Sequence, residues 1–319
     1  MRVAVVDIGT NSTRLLVADV TDDGALTERE RRTRVTRLGD RLGETGVLGE
    51  DAMGRVLGTV REYQAVIDEQ GVERAVAVLT SAVRDAANGE DFLARVRAQG
   101  GGLDARVIAG DEEARLTFRG ATSERAAGDA TPTLVIDVGG GSTELVVGSG
   151  HDVSFHVSTQ AGVVRHTERH LATDPPTPAD LRSLTHDVRA TYAEAVPRHV
   201  RRTALAAIAV AGTATSLGAI DLDLEHYSAD RVHGHVVSVR TCRRILERLA
   251  ALPEAERREV RGLHPDRAPT IVAGVVMVIE ALELFGLDST VVSDHDILRG
   301  AALEVVHRAR PNGEVNPPS

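Results

Sequence analysis

Lysine is missing from this chain: all 37 of its basic residues are arginine, and a Walker-type P-loop, which needs a lysine for the terminal phosphates, is thereby excluded. Tryptophan is absent as well, and three tyrosines and four phenylalanines supply every aromatic ring, too few for a base-stacking platform. A formal charge of −10 leaves no broad basic face for duplex binding. The one cysteine, Cys242, permits neither an internal disulfide nor a cysteine-built zinc cage, and fits a reducing compartment. Long apolar runs are missing too. The apolar run at residues 268–279 falls short of the ~20 residues a membrane-spanning helix needs, and residues 3–6 are too short for the core of a signal peptide. The expectation is a cytoplasmic protein with no nucleic-acid and no membrane partner.

What is present is enough chain for two cores. A single core stops growing at about 250–300 residues, and the 319 residues here are 42% hydrophobic and 26% charged, ordinary values for a globular protein. An internal repeat divides them. VVDIGTNSTRLLVADV, beginning at Val5, aligns with VIDVGGGSTELVVGSG, beginning at Val135, and seven of the sixteen positions are identical: Val5/Val135, Asp7/Asp137, Gly9/Gly139, Ser12/Ser142, Thr13/Thr143, Leu15/Leu145 and Val17/Val147. Chance gives about one such match at average residue frequencies, so the repeat is a duplication. Each copy reads as a strand, an aspartate, a glycine-rich turn with hydroxyls and a second strand, that is, a hairpin. Such a turn lets backbone N–H groups converge on an anion, and the aspartate beside it can hold a divalent metal directly or through water. One turn alone is ordinary hairpin chemistry; two related copies facing one cleft make a shared phosphate site the better reading. Arg14 in the first copy stands where Glu144 stands in the second. The first turn is therefore expected to grip phosphate and the second to handle metal and water.

The remaining segments carry weaker signals. Residues 76–79 read as a buried strand leading into Thr80-Ser81-Ala82-Val83-Arg84-Asp85-Ala86, the start of a helix, with Arg84 either a phosphate ligand or a surface partner of Asp85 or Glu90. Gly110-Asp111-Glu112-Glu113-Ala114-Arg115-Leu116 opens a helix with an acidic first turn, which by itself reads as dipole-complementing charge. A looser stretch at 128–132 marks the boundary between the halves. A helix is expected over 181–198 and a strand over 205–210, followed by Gly212-Thr213-Ala214-Thr215-Ser216, either an anion cradle or a place of close strand-to-helix packing. Residues 268–287 have helical spacing and read as core. Residues 31–37 alternate like a half-exposed strand. His233-Gly234-His235, with no third ligand in view, reads as hydrogen bonding rather than metal binding, and the proline-rich tail 310–319 reads as disordered.

In order along the chain, Asp7-Ile8-Gly9-Thr10-Asn11-Ser12 with Arg14-Leu15-Leu16, Thr80 to Ala86, Gly110 to Leu116, Val135 to Leu145, Gly212 to Ser216, His233-Gly234-His235 and the block at 293–300 resemble the exopolyphosphatase/guanosine pentaphosphatase family of the actin, Hsp70 and sugar kinase superfamily. The resemblance implies an α/β fold of two duplicated ribonuclease-H-like, actin-like domains with a cleft between them. The expected domains are 1–127 and 128–296, with a helix at about 297–309 packing back on the first. It implies Mg²⁺, or Mn²⁺ in its place, and hydrolysis of a terminal phosphoryl group of inorganic polyphosphate. Guanosine pentaphosphate is the alternative substrate, and an actin-like kinase or a non-catalytic phosphate sensor are more distant readings. Glu113 is implied as the residue that positions or deprotonates water, and Asp137, Glu144 and Asp7 as metal ligands. Gly9, Thr10, Asn11, Ser12, Arg14, Arg84, Gly139, Gly140, Gly141, Ser142 and Thr143 are implied as the phosphate cradle, with Gly212, Thr213 and Arg267 as further candidates. In Arg267-Ala268-Pro269 a proline stands where relatives often carry an acid, and the chain ends before the extra C-terminal domains of longer relatives. A homodimer is expected.

Overall fold

The computed structural model describes residues 1–126, 128–150 and 152–309; the tail from Arg310 onward lies outside them. The first half runs β1 (Arg2–Ile8), β2 (Ser12–Val20), β3 (Leu26–Val35), α1 (Leu42–Thr45), α2 (Glu50–Glu69), β4 (Arg74–Leu79), α3 (Ser81–Asp85), α4 (Gly89–Gln99), β5 (Asp104–Val107) and α5 (Gly110–Ala121). The second half repeats that opening with β6 (Thr133–Val138), β7 (Thr143–Ser149), β8 (Asp152–Thr159), α6 (Val163–His170) and α7 (Pro178–Ala195). It continues with β9 (Ala206–Val210), α8 (Ala211–Asp221), α9 (Ala229–Val232), β10 (Val236–Ser238), α10 (Val239–Ala250), α11 (Glu254–Arg257), α12 (Ile271–Phe285), β11 (Ser289–Val292) and α13 (Ile297–Ala309).

Strand order is β3-β2-β1-β4-β5 in one sheet and β10-β11-β9-β6-β7-β8 in the other. Read from β8, the second sheet repeats the first, three antiparallel strands followed by two parallel ones, with β10 added at the edge. These are two ribonuclease-H-like sheets. Central strands covered on both faces need near-continuous apolar sequence, which is why β1 and β6 show no polar alternation. The edge strand β3, LTERERRTRV, is polar without a break from Thr27 to Arg34 and half-buried to exposed along its length, and its charges blunt an open edge.

Side-chain parity sorts the first sheet. Ala4, Val6 and Ile8 pack under α2 and α4, whereas Val3 and Val5 face α13, so the last helix of the described chain covers the first sheet. Between the sheets lies α5. Its Leu116 joins the core of the first sheet, while Ala114 and Phe118 join Val135, Val146, Ile208 and Val210 of the second. Helix α12 is buried on all sides, at about 1.5–3 kcal/mol for each fully buried large aliphatic side chain. Its buried acid, Glu280, is met by a two-pronged Arg189, at 2.7 and 3.0 Å.

Some expected bounds shift. Leu205 is 73% exposed and precedes β9 rather than opening it. The helix after Thr80 lasts only five residues, and Thr80 makes no side-chain cap. Among the described residues no helix is long and apolar enough to cross a membrane.

Candidate active site

The duplicated hairpins fold identically around their turns. Gly9 N–H donates to the Ser12 carbonyl at 3.0 Å, and Gly139 N–H to the Ser142 carbonyl at 2.9 Å. The two turns meet tip to tip. A Cβ placed on Gly140 would lie 2.8 Å from the Asn11 Cβ, and one on Gly141 would lie 3.0 Å from the Thr10 Cγ2. Asp7 and Asp137 consequently line one cavity of about 140 Å³ together with Gly9, Thr10, Asn11 and Ser12. Gly139, Gly140, Ser142, Glu113 and Glu144 complete that wall, joined by Gly212, Thr213 and Arg267 from the third turn. The second turn is braced from behind, where Val163 and Val164 N–H at the start of α6 donate to the Gly139 and Gly140 carbonyls, both at 3.0 Å. Gly140→Ala is expected to push the turns apart and lower turnover by about tenfold or more, since misplacing reacting groups by an ångström costs up to ~10²-fold; steady-state phosphate release beside an unchanged circular dichroism spectrum checks this.

Strand register sets the charges. Asp7 pairs across the first hairpin with Arg14, and Asp137 across the second with Glu144, at equivalent positions. Arg14 donates to Asp7 Oδ2 through Nε at 2.9 Å and Nη2 at 2.6 Å, and its Nη1 donates to Asp296. Arg14 thus lines the cavity while bonded to two carboxylates. Arg84 does not line the cavity. Its Nη1 donates to Glu113 Oε2 at 2.9 Å and to the Ile108 carbonyl at 3.1 Å, with Asp85 farther away at 3.9 Å. Thr143 is fully buried and donates to the Ala161 carbonyl at 2.6 Å. With Glu144 facing the cleft, strand alternation turns the side chain of its neighbour Thr143 into the core.

Arg267 lies over the third turn. A Cβ on Gly212 would fall 1.2 Å from its Nη1, so only glycine leaves room for the guanidinium. That guanidinium has no hydrogen-bond or ion-pair partner among the described residues, and burial followed by the nearby Arg14 pulls its pKa down.

Sequence reasoning missed Asp296, the second partner of Arg14. It precedes α13 and its Oδ1 accepts from Leu298 N–H at 3.0 Å, so in sequence it reads as an ordinary helix cap. Burial alone would raise its pKa, yet Arg14, Arg31 and the Leu298 amide hold it below the usual carboxylate range. His233 and His295 stack with ring centroids 4.0 Å apart. His233 Nδ1 accepts from Asp294 N–H at 3.2 Å and His295 Nε2 faces Arg299 Nη1 at 3.2 Å, while His235 bonds Asp221 at 2.9 Å.

Acids outnumber cations in the cleft. Burial, with the Arg14 pull opposing and Asp296, Glu113 and Asp7 adding repulsion, raises the Asp137 carboxyl. Glu144 is raised by burial and then by Glu113 and Asp137, Glu113 by burial against the pull of Arg84, and Asp7 by burial against Arg14. Hard oxygen donors crowded until their charges repel fit a small divalent cation such as Mg²⁺. No three of these carboxylates have oxygens within 4.8 Å of one another, which suits an ion held by one or two carboxylates, waters and substrate oxygens.

The raised acids carry a stability consequence. A carboxyl with a higher pKa folded than unfolded binds more protons in the folded state, so stability falls as pH climbs from about 4.3, the ordinary glutamate value, toward neutrality. Glu144→Gln removes that penalty. In metal-free buffer at pH 8 it is expected to raise Tm by about 2–4 °C, the effect of ~1 kcal/mol in a protein of this size class, and to give no gain at pH 4. Melting curves at the two pH values check the difference.

The profile of the "Ppx/GppA phosphatase family" matches residues 16–309. "Exopolyphosphatase 2" of Mycobacterium tuberculosis is 37% identical over 318 residues, covering 95% of this chain and 98% of that one. Among solved structures, the Aquifex aeolicus Ppx/GppA family member superposes with a TM-score of 0.82 at 32% identity, over 98% of this chain and 99% of that chain. An exopolyphosphatase-like protein superposes with a TM-score of 0.88 at 35% identity, over 96% and 98%.

Proposed function

Because the chain belongs to the Ppx/GppA phosphatase family, we propose that it is an exopolyphosphatase, releasing orthophosphate from the end of inorganic polyphosphate by attack of water on the terminal phosphorus. The observation that carries the reading is the cleft itself, where Glu113 faces two glycine-rich turns in a wall without one aromatic side chain.

Glu113 is the general base in this reading. Arg84 fixes Oε2, and Oε1, with no protein donor among the described residues, holds the attacking water and takes its proton as the new P–O bond forms. The anhydride P–O bond breaks on the opposite side, and the shortened chain leaves. Backbone N–H groups and hydroxyls of the two turns hold the equatorial oxygens, where phosphoryl transfer concentrates its charge. Arg267, charged and unpaired, takes the chain beyond the terminal phosphate; a bidentate fork suits it. One or two of Asp137, Glu144 and Asp7, with waters and substrate oxygens, would hold Mg²⁺ or Mn²⁺, which when bound neutralises phosphate charge and orients the leaving oxygen. Arg14 then keeps Asp7 and Asp296 charged and aligned rather than touching substrate.

Guanosine pentaphosphate would engage the same phosphate groups. It ranks second because no ring in the wall can stack on guanine and a volume of about 140 Å³ is small beside the ~300 Å³ and more of pockets that enclose whole organic ligands. Phosphate release with Mg²⁺ from polyphosphates of several lengths, guanosine pentaphosphate and ATP tests the order; kcat/KM highest for guanosine pentaphosphate would reverse it. The reading includes a cytoplasmic homodimer, checked by light scattering at twice the 33.9 kDa chain mass.

A further inference from the structure

Away from the cleft, α6 and α7 bring together a second set of donor atoms. His166 and His170 are four residues apart on α6 and so share one helix face. His170 Nε2 lies 2.7 Å and His166 Nε2 3.5 Å from Asp187 Oδ2 of α7, and the three donors lie within 4.8 Å of one another. His166 is 2% exposed, and neither of its ring nitrogens makes a hydrogen bond. A buried imidazole with no hydrogen bond, its nearest carboxylate oxygen 3.5 Å away, is a polar group removed from water with little compensation. A leucine would fill the same space without that cost.

We propose that His166, His170 and Asp187 form a binding site for Zn²⁺ or a similar borderline-soft divalent ion, separate from the carboxylates of the cleft. Two imidazoles and one carboxylate with room for a water are a zinc donor set and a poor one for Mg²⁺, which prefers oxygen. Tetrahedral bonds of about 2.0–2.1 Å put neighbouring donors roughly 3.3 Å apart. The His166 to Asp187 distance already matches. The His170 to Asp187 contact is a hydrogen bond that opens slightly on binding. His170 Nδ1 faces Ser183 Oγ at 3.0 Å, and a hydroxyl can accept as well as donate, so Ser183 stabilises the tautomer that frees Nε2 for the metal. Arg169, 3.3 Å from Asp187 Oδ2 and more than half exposed, holds the carboxylate's charge in the metal-free state and swings into solvent when the ion binds.

Position gives the site its effect. The amides that open α6 support the Gly139 and Gly140 carbonyls, so an ion joining α6 to α7 steadies the turn proposed to hold phosphate. The other histidine cluster, Glu124, His233 and His295, lacks this capacity, since His233 Nδ1 already accepts from the Asp294 amide and His295 Nε2 faces Arg299.

The test uses the full chain, without a histidine tag and with Mg²⁺ in excess, titrated with Co²⁺ and Zn²⁺. Expected are one ion per chain, a visible Co²⁺ absorption typical of four-coordinate geometry, and a rise of Tm with Zn²⁺. His170→Gln and Asp187→Asn should weaken binding at least roughly tenfold, no less than loss of a supporting residue does, while His233→Gln should leave it intact. No uptake by the wild type, uptake unaffected by His170→Gln and Asp187→Asn, or uptake lost with His233→Gln would overturn the proposal. Because the wild-type titration alone can refute it, a variant that fails to fold does not protect it.

Discussion

Replacing Glu113 with glutamine is expected to lower kcat by about 10²–10⁴-fold, the worth of a positioned general base, while leaving KM for polyphosphate within a few-fold. The substitution is close to isosteric. The amide oxygen can still accept from Arg84, and α5 stays wedged between the two sheets through Leu116, Ala114 and Phe118, so position is preserved and only proton acceptance is lost. A fall in kcat and kcat/KM together marks an interaction made in the transition state rather than on binding. The pH profile supplies a second readout. Burial raises the Glu113 carboxyl above the usual range, so wild-type activity should climb with pH along a limb above that of an ordinary glutamate, and the variant should lose the limb. Turnover at the wild-type rate would remove Glu113 from the chemistry.

Stripping divalent cations with a chelator is expected to reduce activity by about 10³-fold or more, because charge neutralisation on phosphate is worth several kcal/mol and each 1.36 kcal/mol is about a tenfold change in rate. Excess Mg²⁺ should restore it. Asp137→Ala and Glu144→Ala should each shift the Mg²⁺ requirement upward by about tenfold or more, since each removes one of the few protein oxygens available to an ion that otherwise relies on water and substrate. Activity profiles against Mg²⁺ for the three proteins decide this. Chelator-resistant turnover would mean that the crowded carboxyls serve another purpose, and the raised acids would then need a different counterion.

The duplication could be read directly from residues, and with it the hairpins, since seven identities over sixteen positions fix which strands correspond. The charge inversion, Arg14 against Glu144, was visible in the same alignment; that Asp7 and Arg14, and Asp137 and Glu144, are cross-strand neighbours came from the structure. Long-range pairing was not visible. Arg14 meets Asp296 across 282 positions of chain; the resemblance implied a helix at about 297–309 packing back on the first half, but nothing in the residues paired Asp296 with Arg14. An arginine beside a glycine-rich turn read as a phosphate fork, and its two carboxylate partners came to light only with the fold. The inward side chain of Thr143 has a local reason, as strand parity turns it into the core once Glu144 faces the cleft. His166 and Asp187 drew no attention because each is ordinary in its own helix. Only the packing of α6 on α7 leaves one imidazole buried without a hydrogen bond, beside the Asp187 carboxylate.

The account rests on two hairpin turns closing on one terminal phosphoryl group with Glu113 beside it. A crystal structure of the Glu113→Gln variant with Mg²⁺ and a short linear polyphosphate tests this most directly. The terminal phosphate should lie between the Gly9–Ser12 and Gly139–Ser142 turns, with a water bridging residue 113 to the phosphorus opposite the leaving oxygen. A chain end bound elsewhere, or one whose phosphorus faces away from residue 113, would contradict it.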